Sequence, residues 1–103
     1  SSEAYSEYYR QFQSRFLSCQ TSWGLPTVSL PTDRRLYDFY EFKSTQDSTC
    51  YFREPKSIYI GNDKWESGCV PHEIGHAVLY TIGHPCWREF EHEDGKEKCL
   101  NRF

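Results

Sequence analysis

At 103 residues the chain has room for one domain, 1–103, with a single core. A formal net charge of -3, with acids and bases interspersed, argues against a nucleic-acid surface, and no apolar run approaches the about 20 residues that a membrane-spanning helix needs. Aromatic residues make up 17% of the sequence, so Tyr, Phe and Trp are expected to supply the core in place of Leu and Ile.

Five cysteines and no methionine in so short a chain point to an oxidising compartment, extracellular or periplasmic. The chain opens at Ser1 without an initiator, which fits a mature secreted product. No C-x-x-C pair is present, so disulfides are expected rather than a thiolate metal site. The odd count leaves one cysteine free, or paired with a partner chain. Connectivity is not readable from the sequence.

Residues 3–18 read as an amphipathic helix, because Tyr5, Tyr8, Tyr9, Phe12, Phe16 and Leu17 recur at steps of three and four with polar residues between them. Cys19 is expected to staple its end to the body. Trp23-Gly24-Leu25-Pro26 and Leu30-Pro31-Thr32-Asp33 mark turns. Leu36 to Lys43 is aromatic and alternating enough to read as a strand. Cys50-Tyr51-Phe52 and Ile58-Tyr59-Ile60 read as two more, joined as a hairpin through Arg53-Glu54-Pro55-Lys56. The order helix, strands, helix, second helical segment predicts an α+β domain with a small, mostly antiparallel sheet, stapled by disulfides.

The stretch His72-Glu73-Ile74-Gly75-His76 carries the chemistry. Val70, Ile74 and Ala77-Val78-Leu79-Tyr80 place it in a helix, with Pro71 in the first turn and Gly83-His84-Pro85 as the stop signal. Positions i and i+4 lie one turn apart, so both imidazoles project from one face and can hold one divalent ion. Zinc suits paired imidazoles with an open position, and Glu73 then stands where it can take a proton from a water on the metal. A solvated surface helix is the bland alternative.

A catalytic zinc takes a third protein ligand. If the chain turns tightly back at Gly83-His84-Pro85, reflecting His76 across His84 lands on His92, with Glu91 and Glu93 one residue away. Imidazole is the stronger donor, so the expected metal set is His72, His76 and His92. Most of the acids in Glu89, Glu91, Glu93, Asp94 and Glu97 are expected to form a solvated face. His84, next to the helix-ending glycine, is expected to meet helix carbonyls and is left out of the set.

His72 to His76 resembles the signature of the zincin metallopeptidases, and a strand at Ser57 to Gly61 ahead of the helix resembles their sheets. The likeness covers about Ser57 to Cys99; the first half resembles no named family. The longer metzincin pattern does not fit, because Leu79 stands where it has glycine and Ile82 where it has histidine. The resemblance implies zinc binding by His72 and His76, with Glu73 as catalytic base. It also keeps Glu97, with Asn101 four residues on, as the gluzincin-like rival to His92, although Gly95 is expected to interrupt a helix there. An oxyanion-stabilising side chain is implied too, with Tyr59, Tyr80 and His84 as candidates.

The expected function is therefore a secreted zinc metallopeptidase acting on a polypeptide or a peptidoglycan peptide, with strand Ile58 to Gly61 pairing with an extended substrate. The competing expectation is a non-catalytic, zinc-stabilised interaction module, or a subunit completed by a partner through the odd cysteine. Presence of Glu73 favours the enzyme, because a closed structural site has no use for a base.

Overall fold

The computed structural model describes residues 2–23 and 28–101. Its elements are α1 (Ser2–Trp23), α2 (Asp33–Phe39), β1 (Glu41–Thr45), β2 (Cys50–Arg53), β3 (Ser57–Gly61), α3 (Cys69–Thr81) and α4 (Gly95–Leu100). The architecture is α+β, with a three-stranded sheet and two disulfides.

The first helix is longer than its stripe of tyrosines suggests. Tyr8, Phe12, Phe16, Cys19 and Trp23 are all buried at helical spacing, so the apolar face runs on to Trp23. Leu17, expected in that face, is instead 53% exposed. The expected turn at Gly24-Leu25-Pro26 lies outside the described residues. Tyr8 donates its hydroxyl to the Trp65 carbonyl, and Tyr9 donates to the Pro31 carbonyl at 2.6 Å, tying α1 to the loops on either side.

Of the expected strand Leu36 to Lys43, only Glu41 to Lys43 is strand; Leu36 to Phe39 is helix. Thr32 caps a helix by accepting the Arg35 N–H at 3.3 Å, Asp33 occupies its first turn, and Leu36 and Tyr40 are buried one turn apart. Cap chemistry at Thr32-Asp33 thus outweighs the aromatic alternation. The strand begins only at Glu41.

The sheet order is β1-β3-β2, with β1 parallel to β3 and β2 antiparallel to it. The expectation of a mostly antiparallel sheet is corrected to a mixed one. The β2–β3 hairpin forms as expected, with Phe52 opposite Ile58. β3 is the central strand, flanked on both sides, so Ile58 to Gly61 has no edge left for a substrate. The strand facing α3 with a free edge is β2.

Ile58 and Ile60 point into the core with no exposed surface, in one buried cluster with Val70, Ile74, Ala77 and Val78 of α3. α3 packs against α1 on one side and against β2 and β3 on the other, so it lies between the first helix and the sheet. Its end is built from Gly83 at φ 75°: the Gly83 N–H reaches the Tyr80 carbonyl at 3.0 Å and the His84 N–H reaches the Leu79 carbonyl at 2.9 Å. That is the paired closure that a left-handed glycine permits.

Cys50–Cys69 joins β2 to the first residue of α3, and Cys86–Cys99 joins the segment after α3 to α4. The start of the helix is thus bonded to the sheet, and the segment that follows it is bonded to α4. Cys19 makes no staple, contrary to expectation. It is the free cysteine, it is buried, and burial pushes its thiol up to about 11.

Two outcomes follow. Denatured protein should titrate with one thiol per chain, and native protein should resist alkylation, because a buried thiol with so high a pKa offers almost no thiolate at neutral pH. In the middle of α3, a Cβ on Gly75 would overlap the Phe90 ring. Gly75→Ala should lower stability by about 1–3 kcal/mol through overpacking, read by chemical denaturation, despite alanine's better helix propensity.

Candidate metal centre

His72 and His76 sit one turn apart on α3, as their spacing requires, and the return segment brings His92 against them. The His72 and His76 Nε2 atoms lie 2.9 Å apart, and His92 Nε2 is 3.1 Å from that of His76. These three histidines form a group that could hold a metal ion. No metal-capable group among the described residues includes Glu97, which is exposed on α4, or Glu93, which is exposed on the loop before it. Gly95 does not interrupt that helix but starts it, in a close approach to the Glu89 carbonyl.

The return path after α3 is a run of tight turns, not a regular helix: Glu89 N–H reaches the Cys86 carbonyl, His92 N–H the Glu89 carbonyl and Gly95 N–H the His92 carbonyl, at 2.9–3.0 Å. Glu91 has a φ of 59°, in the left-handed region that costs a non-glycine residue about 1–2 kcal/mol. This kink separates two neighbours with opposite destinations. Phe90 enters the core beneath Gly75 and stacks on Phe16 at 6.0 Å, while His92 turns out toward His76.

Hydrogen bonds settle which nitrogen of His72 and of His76 faces the cluster. His76 Nδ1 lies 2.6 Å from the Trp87 carbonyl, which can only accept, so Nδ1 carries the proton. Burial lowers the pKa of His76 to about 4, with a smaller opposing effect from the Trp87 carbonyl. The ring is therefore neutral at pH 7 and Nε2 presents a lone pair. His72 Nδ1 lies 3.1 Å from Glu91 Oε1. Burial alone would raise the Glu91 carboxyl, but hydrogen bonds from His72 and Arg15 overcome it and hold the group at about 2. Glu91 is thus an acceptor, and His72 also donates through Nδ1.

Two Nε2 lone pairs facing each other at 2.9 Å repel unless a proton or a cation lies between them. Tetrahedral coordination with metal–nitrogen bonds of about 2.0–2.1 Å sets nitrogens about 3.3 Å apart; the three ligand atoms here lie within 4.8 Å of one another, a spread that converging rings can bring to one ion. Outer partners on the far nitrogens, a carboxylate on one ring and a carbonyl on the other, are the supports that metal-binding histidines use. The donor set therefore fits a metal ion.

Glu91 accordingly stands behind His72 and not within the histidine group. It was a candidate ligand by spacing, yet its two oxygens accept from Arg15 Nη2 and Nε, each at 2.8 Å. Arg15 Nη1 also donates to the Gly68 carbonyl at the start of α3, at 2.7 Å. Nothing in the sequence pointed to Arg15, which lies off the aromatic stripe of α1.

Glu73 lies beside the cluster without joining it. Its Oε1 accepts the Phe52 N–H at 3.0 Å, and its Oε2 is 3.7 Å from His72 Nε2. Burial raises its pKa, partly offset by His72 and by the Phe52 amide. In the β2–β3 ladder the Gly61 N–H bonds the Thr49 carbonyl. Alternation along an antiparallel pair then directs the backbone groups of Cys50 and Phe52 away from β3, which is why the Phe52 amide is free to reach Glu73.

An open cleft of about 380 Å³ lies in front of this cluster, lined by Cys50, Phe52, His72, Glu73, His76, Trp87, Arg88 and His92, with Tyr51 at its edge. Tyr59, Tyr80 and His84 are not in that lining. Tyr59 stacks on Tyr51 at 4.8 Å, Tyr80 meets Trp87 edge-on, and His84 Nδ1 accepts the Cys86 N–H at 3.0 Å.

Removing the outer support should loosen the metal without unfolding the helix. Glu91→Ala is expected to weaken metal binding about 10–100-fold in competition with a chromophoric chelator, and Arg15→Ala to weaken it in the same direction by less. Unchanged affinity in Glu91→Ala would show that the Glu91 carboxylate does not support His72 in holding the metal. No protein-family model matches the chain, and no curated protein or solved structure matches it either, so the three histidines, Glu73 and their supports stand on the geometry of this chain alone.

Proposed function

We propose that this protein is a zincin-like zinc metallopeptidase, secreted, in which His72, His76 and His92 hold zinc and Glu73 is the catalytic base. The observation that carries this reading is the position of Glu73. One of its oxygens is anchored by the Phe52 amide and the other lies 3.7 Å from His72 Nε2, within an open cleft. A site that only braced the fold would need neither the carboxylate nor the opening.

Three imidazoles with a fourth position open favour zinc over magnesium or calcium, which take oxygen ligands. Bound there, zinc supplies a water of near-neutral pKa and polarises a carbonyl. Glu73 Oε2 accepts the proton of the attacking water and then delivers it to the leaving amine nitrogen. Its raised pKa brings the carboxylate nearer the pH at which both transfers proceed. His72 and His76 keep their Nδ1 protons on Glu91 and Trp87, which holds both rings in the orientation the site requires.

The substrate on this reading is a polypeptide or a peptidoglycan peptide, extended along the outer edge of β2. The Cys50 backbone and the Phe52 carbonyl face outward there, the Phe52 N–H being held by Glu73, while Phe52 and Trp87 form an apolar wall with their rings 6.0 Å apart. Secretion is supported by the two disulfides, which persist in oxidising compartments, and no described helix is long and apolar enough to cross a membrane.

Elemental analysis of protein purified without chelator should find about one zinc per chain. Glu73→Gln should keep that zinc and the melting temperature while abolishing cleavage of an unbiased peptide library. His92→Ala should lose zinc affinity and stability together, because metal binding is linked to folding, whereas Glu97→Ala should lose neither. Zinc held by a parent protein that cleaves nothing would instead favour the zinc-stabilised interaction module.

A further inference from the structure

The cleft carries one permanent cation of its own. Arg88 lines it beside His72, Glu73, His76 and His92, and its side chain is exposed. The guanidinium lies over the Trp87 indole, 4.4 Å from the ring centroid. That contact is its recorded partner; no carboxylate among the described residues pairs with it. Arg15, the other guanidinium near the cluster, differs in kind, because Glu91 and the Gly68 carbonyl take its donors.

Trp87 gives Arg88 a fixed footing. Its ring is held edge-on by Tyr80 at 5.0 Å and by Phe52 at 6.0 Å, and its carbonyl takes the His76 Nδ1–H. A guanidinium attracted to an indole face keeps its N–H donors for a second partner, and their fork matches a carboxylate. The platform therefore positions an anion-binding group at a set place relative to the histidine cluster. Glu73, the one carboxylate in the lining, is occupied by the Phe52 amide.

We propose that Arg88 is a specificity-determining residue: it binds a carboxylate of the peptide close to the bond attacked, so the preferred substrates are acidic there. This rests on the peptidase reading. The carboxylate has two sources, an aspartate or glutamate side chain within the peptide or the free C-terminus, and both present the same bidentate acceptor.

The test is a binding measurement on zinc-loaded Glu73→Gln protein, in which no turnover is needed. Calorimetry would compare three N-acetylated tetra-alanine peptides: one amidated, one with a free C-terminal carboxylate, and one amidated with an internal aspartate. At least one carboxylate peptide should bind about tenfold or more tightly than the neutral one, and which of them does so identifies the source. Adding Arg88→Ala should erase that preference while leaving affinity for the neutral peptide within about twofold; Arg88→Lys should restore part of it, as a cation without the fork. Equal binding of all three peptides, no binding of any, or a preference that survives Arg88→Ala would overturn the proposal. Failure of the peptidase reading would show separately, as absence of cleavage by the parent protein.

Discussion

Everything around the histidine cluster depends on the carboxylate of Glu91. It accepts from Arg15 on α1 through both oxygens and from His72 on α3 through one of them. Arg15 carries the tie to the Gly68 carbonyl at the start of α3. One half-buried ion pair thus joins the first helix, the site helix and the returning segment. An exposed ion pair contributes about 0–1 kcal/mol, but this one is bidentate, with side chains only 32% and 22% exposed, so solvent screens it less. Its contribution is of the order needed to offset the left-handed backbone of Glu91. The strained residue and the charged contact occupy the same position because only that backbone sends Phe90 inward and His92 toward the histidines.

The rest of the site is held by contact between unlike parts. Gly75 lets Phe90 lie flat against α3, and no other residue would fit between the two histidines without moving that ring. Gly95 approaches the Glu89 carbonyl in the same way, letting α4 begin directly behind the turns that carry His92. In α4 only Gly95 and Cys99 are buried, so the segment adds little core of its own. Closing 13 residues with Cys86–Cys99 removes unfolded-state entropy worth about 3 kcal/mol in the chain-entropy model, and so replaces packing that this segment lacks.

On the opposite side, β2 serves structure and site together. Cys50 is bonded to the start of α3, Phe52 gives its amide to Glu73, and the Phe52 ring supports Trp87. Trp87 then orients His76 through its carbonyl and carries Arg88 on its ring. Because β2 is an edge strand, these groups are free of the sheet ladder. A central strand would have spent the Phe52 amide on a neighbour.

Local rules determined a good deal of this protein. The 3.6-residue period placed Tyr8, Phe12 and Phe16 on one buried face, i and i+4 spacing set His72 beside His76, and Gly83 stopped the helix, since each depends on residues within a turn of one another. Simple reflection about His84 even brought His92 to His76, although the path between them proved to be a chain of turns. Short-range reasoning failed where two local signals competed, as at Thr32-Asp33, where a helix cap overrode an aromatic alternation that also fits strand. Tertiary structure alone decided the rest. Parallel pairing of β1 with β3, the pairing of Cys50 with Cys69, the solitary burial of Cys19 and the capture of Glu91 by Arg15 all join residues far apart in the chain. No periodicity encodes which of many polar side chains will meet across such distances; that choice is made by how α1, α3 and the sheet pack, which brings Arg15 and Glu91, 76 residues apart, within a pair of hydrogen bonds.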